Sequence, residues 1–297
     1  MRALEPDETG LVRGVHWERF GDGEPTVLLV PGWTIVHSRL WKMQVPYFAR
    51  HFRVVTLDPR GNGLSERPAG PAAYSETEYA EDLLAVMDAS ETERAVVVSL
   101  SLGAQRSLLF ADEHPERVLA LAFIAPAIRL VPDHPMRGHY ARRFLEQLET
   151  DEGWAKFNAE FWRRDYRAFL QFFFDTAFSE PHSTKQIEDA VGWGLETDPE
   201  TLIATALAEG LDEETTRAIA SRVRCPVLVI HGEDDGIRPV AGGEELASVT
   251  GGEFMPMPGV GHLPQARKPV AVNLALREFV ERAAVGSPGK EEVHGYG

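Results

Sequence analysis

Val96-Val-Val-Ser-Leu-Ser-Leu-Gly-Ala104 begins as a run of β-branched residues and ends in small ones, directly ahead of a segment with helical spacing, Leu102 to His114. A strand that is apolar at nearly every position is buried on both faces, the condition of an inner strand in a parallel sheet. Four further runs share this character: Thr26 to Val30, Arg53 to Leu57, Val118 to Ile124 and Pro226 to Ile230. Helical spacing occupies Ser38 to Arg50, Ser75 to Ala89 and, near the carboxyl end, Val270 to Ala284. Strand and helix in alternation imply an α/β fold with a mostly parallel sheet covered by helices on both faces. Leu11 to Phe20, followed by Gly21-Asp22-Gly23, reads as an antiparallel start, and Glu253 to Met257 as a last strand.

The alternation stops between residues 131 and 222, where only helical patterns occur. Aromatic residues crowd this segment, among them Phe144, Phe161, Trp162, Tyr166, Phe169, Phe172, Phe173 and Phe174. Core packing explains such residues individually, whereas a lid would turn some of them towards a cavity. The predicted organisation is an α/β core over residues 1–130, a helical cap over 131–222 and the rest of the core over 223–285. The tail, 286–297, lacks apolar periodicity and is expected to be disordered.

With 297 residues and 43% hydrophobic content, the chain can bury a sizeable core. Its formal charge of −16 repels polyanions, which argues against nucleic acid and anionic membranes as partners. The single cysteine, Cys225, excludes an intramolecular disulfide and a thiolate metal cluster. The amino terminus is acidic without an apolar stretch, and the longest apolar run, Val118 to Ile128, is too short to span a bilayer. The expected location is cytoplasmic.

Ser101 stands between the strand and the helix, with Ser99 and Gly103 two residues to either side. A sharp strand-to-helix turn that exposes a nucleophile needs small residues at those two positions, because bulk there would clash. The other reading of Ser101 is a helix N-cap. In His231-Gly-Glu-Asp-Asp-Gly-Ile-Arg-Pro239, an acid at the carboxyl end of a strand points into the crevice where ligands bind. Asp235 is the preferred acid and Asp234 its rival, and either could instead be a solvated turn residue. Of the ten histidines, His262 lies in the loop Gly259-Val-Gly-His262, whose glycines leave the imidazole free to enter a cleft. His114 reads as a helix-terminal surface residue and His231 as a buried, hydrogen-bonded one. No His-Glu-x-x-His or His-x-x-His spacing occurs, so a metal site is not expected. Val30-Pro-Gly-Trp-Thr34 follows the first buried strand, and the backbone amides of Trp33 and Leu102 are the candidate donors to an oxyanion.

Taken in order, the loop Pro31-Gly32-Trp33, the segment Asp58-Pro-Arg-Gly-Asn-Gly-Leu-Ser65, the turn around Ser101, Gly232-Glu-Asp-Asp235 and Gly261-His262 resemble the α/β-hydrolase superfamily over nearly the whole chain. The resemblance implies an eight-stranded, mostly parallel sheet with the cap between strands six and seven. Pro31 replaces the histidine that most relatives carry in the oxyanion loop, and Ser99 the usual glycine of the elbow. Serine at position 101 disfavours the aspartyl-nucleophile branches, the haloalkane dehalogenases and epoxide hydrolases. The expectation is a cofactor-free serine hydrolase of a small-molecule carboxylic ester or lactone, bulky and macrocyclic ones included, with Ser101 as nucleophile, His262 as base and Asp235 orienting the base. Carbon–carbon bond hydrolysis of a diketone, perhydrolysis, a hydrolase-fold ligand receptor and a non-catalytic interaction protein are the other readings.

Overall fold

Strand β1 (Glu8–Val12) and β2 (Val15–Phe20) form a hairpin; β3 (Thr26–Val30), β4 (Arg53–Leu57), β5 (Ala95–Leu100), β6 (Val118–Ile124), β7 (Val227–Gly232) and β8 (Glu253–Met257) follow. In the computed structural model, which describes residues 4–285, all eight pair into one sheet in the order β1-β2-β4-β3-β5-β6-β7-β8. The tail assigned to 286–297 lies outside the described residues. β1 and β2 are antiparallel to each other, and β2 is antiparallel to β4. Every pairing from β4 to β8 is parallel.

The uninterrupted apolar runs are buried on both faces. Val27, Leu29, Val96 and Val98 enter one hydrophobic cluster, and Leu28, Val30, Val97 and Ala95 enter the other, as the period of two along a strand requires. The helices are α1 (Val45–Phe48), α2 (Glu76–Ala89), α3 (Gly103–Glu113), α4 (Pro135–Ala141), α5 (Ala159–Ala177), α6 (Thr184–Gly194), α7 (Pro199–Leu207), α8 (Glu213–Arg222), α9 (Val240–Thr250), α10 (Pro264–Arg267) and α11 (Pro269–Val285). α1 and α11 cover the first face through Phe48, Leu276 and Phe279, while α2, α3 and α9 cover the second through Leu83, Leu108 and Leu246.

Residues 131–222 contain α4 to α8 and, among the described residues, no strand. Phe161, Trp162, Phe169 and Phe173 of α5 belong to the same cluster as Val27 and Leu29 of the sheet, so the aromatic segment and the body share one core. α8 packs elsewhere: Ile219 and Ala220 join Leu246 of α9 on the opposite face. Side-chain oxygens at Ser75, Asn158, Asp198 and Asp212 accept first-turn amides of α2, α5, α7 and α8, which fixes where these helices begin.

Two local expectations are corrected and one helix is added. The predicted antiparallel strand Leu11 to Phe20 is broken at Arg13 and Gly14, whose φ values of 49° and 75° make the two-residue turn of the hairpin. The predicted helix Ser38 to Arg50 divides into a 3-10 turn at Ser38–Trp41 and the short α1, because Pro46 has no amide to continue the ladder and sits in the first turn of the restart. α9 carries no strong sequence signal because Gly242 and Gly243 interrupt it; a Cβ at Gly243 would lie 2.5 Å from Nδ1 of His231. No helix among the described residues is long and apolar enough to cross a membrane.

Candidate active site

The loops after β3, β5, β7 and β8 all open at the carboxyl edge of the parallel strands. Ser101 is the residue immediately after β5, and its φ of 52° is in the left-handed region that costs a non-glycine residue about 1 kcal/mol or more. Its backbone is fixed on both sides: the Ser101 amide donates to Ile124 O at 3.0 Å, and Ser101 O accepts from Ala104 and Ala127 at 3.0 and 2.9 Å. The requirement for small neighbours is visible in distances. A Cβ at Gly103 would approach Pro31 O to 2.7 Å and the Ser99 Cβ to 3.3 Å. Ser99 is tolerated because its own side chain is small and fully buried.

Ser101 Oγ lies 3.0 Å from His262 Nε2, and His262 Nδ1 lies 2.7 Å from Asp235 Oδ2. Asp235 is buried, and its other oxygen, Oδ1, accepts the amides of Ile237 at 2.7 Å and Arg238 at 2.9 Å. Burial pushes this carboxyl up, but the adjacent His262 charge and the hydrogen bonds from His231 and His262 outweigh it and hold the group far below the usual carboxylate range. An ionised Asp235 can only accept, so Nδ1 of His262 donates to it, which leaves Nε2 as the ring nitrogen that faces the serine hydroxyl. The rival acid, Asp234, is exposed; its amide donates to Val260 O, and its carboxylate is not at His262.

His262 is placed by a crowded glycine loop. A Cβ at Gly232 would come within 2.2 Å of Gly261 O, and one at Gly261 within 2.6 Å of Ala177 O. The His262 amide donates to Ala177 O at 2.9 Å, tying the loop to the end of α5. His231 is also at this centre: it is fully buried, and its Nε2 lies 2.9 Å from Asp235 Oδ2, so that one carboxylate oxygen receives two imidazoles.

Neither the Trp33 amide nor the Leu102 amide donates to another group among the described residues, and Leu102 is the residue on which α3 begins. Their loop is braced from behind. Arg106 donates to Gly32 O at 2.8 Å while its guanidinium covers the Tyr79 ring at 3.5 Å, and the Tyr79 hydroxyl meets Thr34 Oγ1 at 2.7 Å. Asn62 donates to Thr34 O at 2.7 Å, and Arg60 grips Asp82 through two bonds of 2.7 and 2.6 Å. The Asp58 to Ser65 segment is therefore a brace for the loop. Sequence reasoning did not find Arg106 or Tyr79 in these roles, since each acts from a helix that looks like ordinary core; His231 is buried and hydrogen-bonded as expected, with a partner, Asp235, that the expectation did not name.

A cavity of about 580 Å³ opens above Ser101. Trp33, Phe144, Phe157 and Phe173 form its apolar side, so several aromatics of the helical segment both pack and face the cavity. Trp33 bridges the two regions, its Nε1 donating to Thr205 Oγ1 at 2.8 Å. Arginines and carboxylates supply much of the polar lining, among them Glu76, which burial pushes up to about 7 against the pull of Arg106 and Arg129. One grouping of metal-ligand type side chains occurs among the described residues, Glu81 with Glu113 and His114, and none of the three lines the cavity.

The sequence pattern of the alpha/beta hydrolase fold matches residues 25–269. The chain is 23% identical over 268 residues to the 3-oxoadipate enol-lactonase 2 of Acinetobacter baylyi, covering 90% of this chain and 93% of that protein. It is 27% identical over 276 residues to the pimeloyl-[acyl-carrier protein] methyl ester esterase of Edwardsiella ictaluri, covering 91% and 99%. Among solved structures, a thermophilic esterase from Thermogutta terrifontis superposes with a TM-score of 0.75 at 27% identity, over 91% of this chain and 94% of that one.

Proposed function

We propose, for a chain that belongs to the alpha/beta hydrolase fold family, the hydrolysis of a small carboxylic ester or lactone through an acyl-enzyme on Ser101. The observation that carries this reading is the continuous line of atoms from Ser101 Oγ to His262 Nε2 at 3.0 Å and from His262 Nδ1 to Asp235 Oδ2 at 2.7 Å, starting from a serine that lines a cavity. Likeness to esterases and an enol-lactonase supports the same class of reaction.

As Ser101 Oγ attacks the substrate carbonyl carbon, its proton passes to His262 Nε2, and the imidazolium that forms is stabilised by ionised Asp235. The carbonyl oxygen becomes an oxyanion and takes the amides of Trp33 and Leu102, at the positive end of α3. Collapse of the tetrahedral species expels the alkoxide, which leaves with the proton held by His262. Water then attacks the acyl carbon, giving a proton to His262, which returns it to Ser101 as the carboxylic acid departs. His231, 2.9 Å from the shared Asp235 oxygen, helps to keep it in place, and the 580 Å³ cavity accommodates a bulky acyl or alcohol portion. We assign residues 131–222 as a cap over this chamber, since Phe144, Phe157 and Phe173 from it line the wall.

Turnover of a panel of aryl esters and lactones by the wild-type protein and by Ser101→Ala tests the proposal. Cleavage by the wild type and its loss in a folded Ser101→Ala protein are expected. Equal cleavage by both would overturn it.

A further inference from the structure

Beside the aromatic wall, four arginines line the Ser101 cavity, three from the stretch 129–142 and one from the loop after β7: Arg129, Arg137, Arg142 and Arg238. A chain of formal charge −16 has concentrated positive charge at the larger of two chambers that reach its nucleophile candidate among the described residues. Three carboxylates also face this space, and they do not cancel it. Glu76 lies 3.7 Å from Arg106, behind the wall, and Glu213 lies 3.7 Å from Arg217, also outside the lining. Asp133 is the one carboxylate in ion-pair contact with Arg137 and Arg238 among the described residues, the latter at 3.0 Å, while Asp235 acts on both from beyond contact distance. Arg129 and Arg142 form no ion pair and no side-chain hydrogen bond among the described residues.

The two inner guanidiniums are poorly compensated. The side chains of Arg137 and Arg238 are 12% and 16% exposed, and the Nε of each is buried without a hydrogen-bond partner. Burial lowers Arg137, and burial together with the neighbouring Arg137 charge lowers Arg238 to about 9. Two cations sharing one anion in a partly desolvated wall is an arrangement that gains from a second anion. Guanidinium groups suit a carboxylate, whose two oxygens match their paired donors.

We propose that the substrate is an anionic ester or lactone, whose acyl or alcohol portion carries a carboxylate that docks among Arg129, Arg137, Arg142 and Arg238. The aromatic wall of Trp33, Phe144, Phe157 and Phe173 then receives the carbon chain between that carboxylate and the reacting carbonyl. The inference rests on the hydrolase reading and narrows it to a substrate class.

Mono-p-nitrophenyl esters of dicarboxylic acids, from succinate to sebacate, compared with their methyl-capped diesters, separate the two ideas. At the chain length that reaches the arginines, kcat/KM for the free acid should exceed that for its capped partner by about tenfold or more, mainly through KM. Raising the salt to about 1 M should shrink that ratio, because screening acts on the charged substrate. The double substitution Arg129→Gln with Arg142→Gln, at two exposed positions, should shrink it as well. A ratio of one or less at every chain length, with the capped esters still cleaved by the wild type and not by Ser101→Ala, overturns the anionic substrate and leaves the hydrolase standing. A ratio untouched by both salt and the substitutions overturns it too. If no ester of either series is cleaved, both readings fall.

Discussion

On the sheet side of the cavity, Ser101, Asp235 and His262 are held by main-chain constraints: a left-handed φ at Ser101, two amides on one oxygen of Asp235, and glycines at 103, 232 and 261 whose added Cβ atoms would meet backbone oxygens at 2.2 to 2.7 Å. On the helical side, the arginines and aromatics project from α4, α5 and loops that impose no comparable backbone demand. The two carboxylates deep in this region show the same contrast. Asp235, with two imidazoles and two amides, is held ionised, while Glu76, with cations only at longer range, is pushed up to about 7. The lesson is that the reacting geometry is over-determined by the backbone, whereas recognition is left to side chains that can change without disturbing it.

The contrast breaks most sharply at the proposed nucleophile. Ser101→Ala or His262→Ala should lower kcat by about 10⁴ or more while the circular dichroism spectrum and melting temperature stay near wild type. Unfolding of both variants would mean that these side chains serve the fold. Next in size, Asp235→Asn should cost on the order of 10³ to 10⁴ in kcat by spoiling the tautomer of His262, and the exposed Asp234→Asn should change the rate by less than about twofold. Steady-state kinetics on one aryl ester decides between them.

On the helical side the largest effect is on stability. Trp162, fully buried and in ring contact with Trp33 at 5.8 Å, should cost about 3 to 5 kcal/mol when replaced by alanine. Because that core is continuous with the sheet, denaturant unfolding should remain a single transition. A separate early transition would show the helical segment folding apart from the body. The smallest effect concerns Glu76, whose ordinary value of 4.5 rises to about 7 in the fold. Between these values the folded state keeps a proton that the unfolded chain has released, so stability is greatest at low pH and declines as pH rises through about 7. Glu76→Gln should remove that decline, and wild type should lose at most about 3 kcal/mol relative to the variant between about pH 5 and pH 8. Parallel slopes of midpoint against pH would contradict it.

The inner strands were legible because burial on both faces leaves an unbroken apolar run, as in Thr26 to Val30 and Val227 to Ile230. Ser101, Asp235 and His262 were legible as candidates because each sits at a strand end beside small residues that the chain needs there. The hairpin turn was not, since Arg13 gives no sign of a positive φ. Nor was α9, whose Gly242 and Gly243 lower its helical signal so that it can close on His231. The arginine cluster was hidden for a different reason. Positions 129, 137, 142 and 238 form no local motif, and only the return of the chain through β7 brings Arg238 to Asp133.

Labelling the folded protein with a fluorophosphonate and mapping the modified peptide by mass spectrometry tests most directly whether Ser101 is activated by His262. The expected result is one adduct, on Ser101, formed rapidly by the wild type and at least about a hundredfold more slowly by His262→Ala. A folded wild-type protein that takes no adduct, or takes it on another residue, would contradict the assignment.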